Sequence, residues 1–298
     1  MSDFRLKVFL SVATHLSFTK ASQELYISQP AISKHIKELE SVFQTQLFER
    51  MGNSIALTSA GELLVEHSRQ IVNLYQQLDY AMHQLHGDSV GELRLGASTT
   101  IAQYLLPPLI ARFIELHPKV KLSLISGNSR EIESAVERHE IDLGLIEGVY
   151  RRVSLKYTFF KEDRLIAIAR PCSARIIPSS IEIEDLANYK MVLREQGSGT
   201  LDVIEEALAA HHIKLSTLNI PLYLGSTESI KRFVQHTNAL GIVSHLAVRE
   251  DIDSGKLKEV ELKGVEMNRE FSFVSLQADL IGLPKVFVRF ALGYKQQL

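Results

Sequence analysis

The apolar residues of this chain follow two rhythms. As far as residue 86 they recur at steps of three and four, the spacing of one helix face; beyond residue 91 short apolar blocks alternate with helical stretches. Phe4, Leu6, Val8, Phe9 and Val12 form a stripe that predicts a first helix. Ser17 is placed to cap a second, with Phe18, Ala21 and Leu25 turned inward, and the small Ala21 and Ser22 let two helix backbones cross closely. Tyr26 and Ile27 make a turn and Ser28 caps a third helix. Pro30 falls in its first turn, where a missing N–H does no harm. Ala31, Ile32, Ile36 and Leu39 give the third helix its core side. Two short alternating runs, residues 47–50 and 54–57, flank Met51, Gly52 and Asn53 and predict a β-hairpin.

Either Thr58 or Ser59 can cap the next helix, and Ser59 with Glu62 has capping-box spacing. With no proline or glycine between Gly61 and Gly87, this helix can run to His86, roughly 42 Å at 1.5 Å per residue. Leu64, His67, Ile71, Leu74, Leu78, Ala81 and Leu85 alternate steps of three and four. A seam this narrow suits a second helix, whereas a helix lying on its own core needs a broader apolar face. Pairing would set two copies of the third helix side by side. Residues 87–91 then break the helix and read as a hinge.

The remaining residues, 92–298, alternate strand and helix patterns. Strands are expected at 93–97, 120–125 and 141–146, with helices at 100–117 and 129–138. A strand at 165–169 leads into a second set, with strands at 191–193, 222–224 and 241–243 and helices after 200 and from 227. A strand at 271–274 and an amphipathic helix from 284 to 294 return to the first set. The alternation implies two α/β lobes with largely parallel sheets, one about 92–162 with 266–298 and the other about 163–265, and a cleft at the carboxyl ends of their strands.

Composition narrows the chemistry. A net charge of −2 rules out a globally basic nucleic-acid binder, and residues 1–58 hold six Lys and Arg against five Asp and Glu, so the placement of cations carries more weight than their number. The single cysteine, Cys172, excludes an internal disulfide and reads as a passive thiol in a reducing compartment. No apolar run approaches the roughly 20 residues of a membrane span, and residues 1–5 lack the basic and apolar regions of a signal peptide, so a cytoplasmic protein is expected. There is no Walker-type loop, paired CxxC, HExxH or GxSxG elbow; the expectation is no enzyme, no metal and no cofactor.

On the third helix Gln29, Ser33, Lys34 and Lys37 lie off the core side and can reach base edges or phosphates, with Ser28 and Pro30 beside them and Arg50 at the hairpin base. The ordered strings Ser17-Phe18-Thr19-Lys20-Ala21, Ser28-Gln29-Pro30-Ala31-Ile32-Ser33, Ile36-Lys37-Glu38-Leu39-Glu40, Leu47-Phe48-Glu49-Arg50 and Leu57-Thr58-Ser59-Ala60-Gly61-Glu62 closely resemble the N-terminal domain of LysR-type transcriptional regulators. The resemblance implies a winged helix-turn-helix at 1–58, a dimerising linker helix at 59–86 and a two-lobed effector domain similar to type 2 periplasmic-binding proteins. Gln29, Pro30, Ser33 and Lys34 would then face the DNA groove, with Thr19 and Arg50 near the backbone. Partners would be a duplex operator of interrupted near-palindromic form, a second copy in a homodimer and a dimer of dimers (a homotetramer), and RNA polymerase. Two departures stand out: Ala21-Ser22 replaces the usual two alanines, and Phe43-Gln44 replaces Leu-Gly, so the turn into the wing forms without glycine.

Four loops expected at the cleft are rich in hydroxyls and glycine at helix starts: Ser98-Thr99-Thr100, Gly127-Asn128-Ser129, Gly197-Ser198-Gly199-Thr200 and Gly225-Ser226-Thr227. Each can be no more than a helix cap; converging from two lobes, they suit a small anion. Arg194 either adds a charge-assisted contact or is a surface residue at a strand end. Ser98-Thr99-Thr100 followed by Tyr104-Leu105-Leu106-Pro107 resembles the branch of the family concerned with sulfur assimilation and carbon fixation, which implies sulfate, a phosphorylated metabolite or a small carboxylate as effector. The competing reading is a solute-binding or catalytic α/β protein carrying a helical oligomerisation arm.

Overall fold

The structure, a computed structural model, describes residues 4–52, 54–84, 90–149, 151–171 and 177–294. Cys172 and the expected helix break at Gly87, Asp88 and Ser89 lie outside them. The chain divides into two compact units, Met1–Gly91 with Arg138–Glu140, and Glu92–Glu137 with Ile141–Leu298.

The first unit opens with α1 (Phe4–His15), α2 (Phe18–Leu25) and α3 (Gln29–Phe43), followed by the hairpin β1 (Phe48–Met51) and β2 (Ser54–Leu57) and the long α4 (Ser59–Gln84). Val8, Phe9 and Val12 of α1, Ala21 of α2, Ile32, Ile36 and Leu39 of α3, and Leu47 form one buried core. The hairpin pairs Phe48 with Leu57 and Met51 with Ser54, and Gly52 turns it at φ 63°. Thr58, rather than Ser59, caps α4: its Oγ1 accepts from the Gly61 N–H at 3.0 Å and donates to the Gln46 carbonyl at 2.7 Å. Of the expected seam, Leu64 instead packs on the core of the first three helices. Ile71, Leu74 and Leu78 stand exposed, with Met82 beside them.

The second unit is built on a ten-stranded sheet. Its elements are β3 (Gly91–Ser98), α5 (Thr99–Tyr104), α6 (Leu106–Leu116), β4 (Val120–Gly127), α7 (Ser129–Glu137), β5 (Leu143–Glu147), β6 (Leu155–Ala169), β7 (Ser180–Glu182), β8 (Lys190–Arg194), α8 (Gly199–Ala210), β9 (Asn219–Leu224), α9 (Thr227–Gln235), β10 (Leu240–Ser244), α10 (His245–Asp253), β11 (Lys258–Lys263), β12 (Met267–Leu276) and α11 (Gly282–Tyr294). The strand order is β4-β3-β5-β12-β6-β10-β8-β9, with β11 and β7 off this path. One lobe centres on the parallel pair β3 and β5, the other on the parallel strands β10, β8 and β9. Antiparallel β6 and β12 run between them, paired from Met267↔Leu165 to Leu276↔Leu155.

Two sequence expectations need correction. The helix expected over 100–117 is broken at Leu105 into α5 and α6, because Pro107 and Pro108 supply no N–H to continue the ladder. The strand expected at 165–169 begins ten residues earlier, at Leu155. The charged run at 161–164 hides it, yet Asp163 within that run is buried against an arginine of the neighbouring strand.

Candidate functional site

The first unit presents an outward-facing polar surface on α3. Ser28 lies in extended backbone and its hydroxyl oxygen accepts from the Ala31 N–H at 3.4 Å, while Ser17 caps α2 through the Lys20 N–H at 3.3 Å. These caps fix where each helix begins. Tyr26 and Gln44 close α2 and α3 in the left-handed conformation, at φ 55° and 52°. Gln44 thus does the work of the missing glycine. The Glu40 carboxylate accepts the Leu47 N–H at 2.9 Å and ties α3 to the hairpin. Of the expected reading residues, Thr19, Ser28, Gln29, Pro30, Lys34, Lys37 and Arg50 are exposed and Ser33 is half-buried. Lys34 and Lys37 make no ion pair among the described residues, so their charge is open to a partner. Arg5 of α1, absent from the sequence expectation, joins Pro30, Ser33, Lys34 and Lys37 along a shallow groove of about 620 Å³. Nothing in the local pattern of α1 marks it; only the crossing of α1 over α3 brings it there.

The loops of the second unit converge, and several expected residues find partners within the protein. Asn128 caps α7 by accepting from the Glu131 N–H at 3.0 Å, and Ser198 caps α8 through Thr200 at 3.2 Å. Ser129 donates to the Glu147 carbonyl at 2.7 Å. Gly199 lies against that same carbonyl; a Cβ there would sit 1.9 Å from the oxygen, so only glycine lets α8 approach. Gly197, at φ 90°, accepts the Arg130 N–H at 3.2 Å through its carbonyl. Thr100 at the start of α5 and Thr227 at the start of α9 meet hydroxyl to hydroxyl at 3.1 Å, both buried. The starts of these two helices, one from each lobe, therefore touch.

Two expected residues retain donors with nothing to bond. Arg194 is 1% exposed, not a surface residue; it pairs with Glu195 through Nε at 2.8 Å and Nη2 at 2.9 Å, while Nη1 has no partner. Thr99 Oγ1 is likewise buried without a partner. Arg194 lies opposite Leu224 in the β8–β9 register, and Leu224 precedes the turn that carries Thr227, so the backbone of Arg194 stands at the end of the sheet from which α9 starts.

Beneath these loops lies a charged cluster that the sequence did not disclose. Arg269 of β12, its side chain wholly buried, donates from Nε to Asp163 at 2.7 Å and from Nη1 to Thr200 at 2.9 Å, with Glu147 at 3.5 Å. Ser98 donates to Glu147, and Ser244 to Asp163 at 2.9 Å. Both serines are N-caps whose hydroxyls make no cap bond; their carboxylate partners claim them instead. Ser98 and Glu147 come from one lobe, Thr200 and Ser244 from the other, and Asp163 and Arg269 from the two connecting strands. A lone arginine between Asn268 and Glu270 in an alternating strand was the only available signal. Nearby, Asp202 in the first turn of α8 has its carboxyl pushed up by burial, an effect that Arg130 at 3.4 Å opposes.

Among the described residues no group of His, Cys, Asp and Glu is arranged to hold a metal, and no helix is long and apolar enough to cross a membrane. Residues 4–62 match the family described as bacterial regulatory helix-turn-helix protein, lysR family, and residues 86–294 match the LysR substrate binding domain. The chain is 32% identical to the HTH-type transcriptional regulator CysL of Bacillus subtilis (strain 168), over 90% of this chain and 89% of that one. It is 32% identical to YeiE of Escherichia coli (strain K12), an uncharacterised regulator of the same type, over 86% and 85%. Full-length CbnR in complex with its target DNA has the same fold, with a TM-score of 0.69 at 19% identity over 98% of this chain and 99% of that one. The regulatory domain of Synechocystis PCC6803 CcmR in complex with 2-PG matches with a TM-score of 0.61 at 24% identity over 70% and 98%. These matches remove the alternative of a solute-binding or catalytic protein with a helical arm. The chain belongs to the LysR family: a DNA-binding transcriptional regulator, not an enzyme, with a helix-turn-helix head and an effector-binding domain.

Proposed function

We propose that this regulator reads an interrupted near-palindromic operator with two copies of α3, and that a small anion bound between the lobes controls it. Gln29, Pro30, Ser33 and Lys34 reach base edges; Thr19, Ser28, Lys37 and Arg50 hold the phosphate backbone. The exposed stripe of Ile71, Leu74 and Leu78 on α4 pairs two protomers, and two such dimers associate into a tetramer. RNA polymerase is the partner through which operator occupancy acts on transcription, and the protein works in the cytoplasm, where its DNA is.

The effector rests among Thr99, Thr100, Arg194 and Thr227, with the glycine turn 197–200 and the Ser98 and Asn128–Ser129 loops around it. The observation that carries this reading is Arg194: a fully buried guanidinium keeping one nitrogen unbonded, on a strand that ends opposite Leu224, three residues before the Thr227 that meets Thr100 of the other lobe. A buried donor left unpaired costs on the order of 1–3 kcal/mol, and an anion removes that cost. The test is a gel shift on the DNA upstream of the protein's own reading frame, with and without candidate anions. Ser33→Ala or Lys34→Ala should weaken the complex with the fold intact, and Thr100→Ala should blunt the response to the anion. A Thr100→Ala protein with the wild-type effector affinity would take Thr100 out of the site.

A further inference from the structure

The turn between α2 and α3 holds a residue whose strain is not offset inside the protein. Tyr26 closes α2 in the left-handed conformation at φ 55°, where a bulky side chain is disfavoured, and its N–H bonds the Ser22 carbonyl. Its side chain is 95% exposed, and among the described residues neither its ring nor its hydroxyl has a partner. The other left-handed closures of the head are better accommodated. Leu16, at φ 44°, keeps about half of its side chain out of water, and Gln44, at φ 52°, is polar. Glycine or asparagine would close α2 with less strain and no exposed ring. A strained position with no internal contact to hold it points to a role outside the chain.

Resting on the reading face proposed above, we infer that Tyr26 is a DNA contact whose hydroxyl donates to a phosphate oxygen on the wall of the groove that α3 enters. Ile27 packs on the head core and Ser28 caps α3, so Tyr26 projects outward at the end of α3 where Gln29 and Pro30 also stand exposed. Gln29 and Pro30 lie in the first turn of α3 and lead into the groove. A side chain that leaves the chain before the cap lies beside the groove, where it meets phosphates rather than base edges. A carboxylate at this spot would repel the duplex, and the nearest in sequence is turned away: Glu24 accepts from Ser11 and meets His15 at 3.1 Å, both on α1. A phenol donates to a phosphate without carrying charge of its own. Tyr26 therefore adds affinity without releasing a counterion, unlike Lys37 or Arg50.

The experiment is fluorescence anisotropy of the full-length protein on the duplex upstream of its own reading frame and on a random duplex of equal length, each across a salt series. Tyr26→Phe, Tyr26→Gly and Lys37→Ala are compared with the wild type. Tyr26→Phe should weaken binding roughly 3-fold per copy, about 10-fold for the two copies of a dimer, by a similar factor on both duplexes and with the salt slope unchanged. Tyr26→Gly should lose at least as much affinity while the urea midpoint of the head stays level or rises, a split that a purely structural role does not produce. Lys37→Ala should flatten the slope instead. If both Tyr26 variants bind as the wild type does while Lys37→Ala is weakened, the inference fails and the reading face stands. A Tyr26→Phe loss confined to one operator position would mark a base contact and overturn the phosphate assignment. Stability and affinity falling together in Tyr26→Gly, with Tyr26→Phe unaffected, would make Tyr26 a structural residue. Wild-type binding by all three variants would overturn the inference and the reading face together.

Discussion

At the scale of single residues, the departures from the family pattern are the informative positions. Gln44 occupies a left-handed C-cap that glycine fills without strain, and its N–H still reaches the Glu40 carbonyl. A side chain in that conformation carries about 1 kcal/mol of strain, partly offset because glycine gives the unfolded chain more freedom. Gln44→Gly should therefore raise the stability of the head by about 0.5 kcal/mol, read by urea unfolding; a loss would mean the Gln44 side chain makes a contact worth more than the strain. Lys34 tests the reading face at the same scale. If it neutralises one phosphate, Lys34→Ala should flatten the salt dependence of operator binding by about one unit of slope. If it reads a base instead, the slope stays and the loss concentrates on one operator position. Tyr157 offers a pH test. Burial first, and then its hydrogen bond to Glu133 at 2.5 Å, push its phenol up to about 12. Its folded pKa lies above the unfolded one, so its contribution to stability is complete below about pH 10 and fades as pH rises towards 12. Ultraviolet titration should show one late-ionising tyrosine that vanishes in Tyr157→Phe.

At the scale of elements, α4 makes the strongest demand on something outside the single chain. Its Leu64, Val65 and Val72 pack on the head core, while Ile71, Leu74 and Leu78 remain in water. In a symmetric dimer each of these half-exposed positions is buried in both copies, about 1.5–3 kcal/mol per position. Leu74→Glu with Leu78→Glu should leave the protein monomeric in sedimentation at micromolar concentration, with its helix content kept and its operator affinity lost. A variant that sediments as the wild type does would move the dimer contact elsewhere. The same helix shows how far the sequence could be read. A three-and-four seam announces a helix and an unmet face, since both follow from local spacing; which of its positions turn inward depends on the crossing with α1 and the hairpin. The head was legible because caps, turn and core stripe lie close together in the chain. The cleft was half legible: helix starts betray themselves through Ser, Thr and Gly, but whether a hydroxyl caps its own helix, as Ser198 does, or serves a carboxylate 49 residues away, as Ser98 does, is decided by packing. Asp163 and Arg269 were invisible for the same reason, being 106 residues apart and joined only by the pairing of β6 with β12.

At the scale of the molecule, that pair occupies the point through which either lobe must act on the other. Among the described residues Arg269 is the cation in a buried cluster with Asp163 and Glu147, and the hydroxyls of Ser98, Thr200 and Ser244 join it from both sides, while its Nη2 keeps no partner. The connecting strands are where a hinge between lobes has to bend, so a change at the loops above reaches the hinge through shared hydrogen bonds rather than through distance. Replacing Arg269 with alanine leaves two carboxylates buried together with no counter-charge, a loss of about 3–5 kcal/mol. The effector domain should melt at markedly lower temperature in Arg269→Ala while the head, which shares none of these bonds, keeps its own transition. Substituting Asp163→Asn and Glu147→Gln together with Arg269→Met removes all three charges and should recover much of that stability, because the penalty lies in the unpaired carboxylates more than in the lost pair. What the triple variant should not recover is the response of operator binding to the anion, since a thioether in place of the guanidinium offers Thr200 no donor. Full response in a stable triple variant would show that the lobes communicate by another route, and the cluster would then be a matter of stability alone.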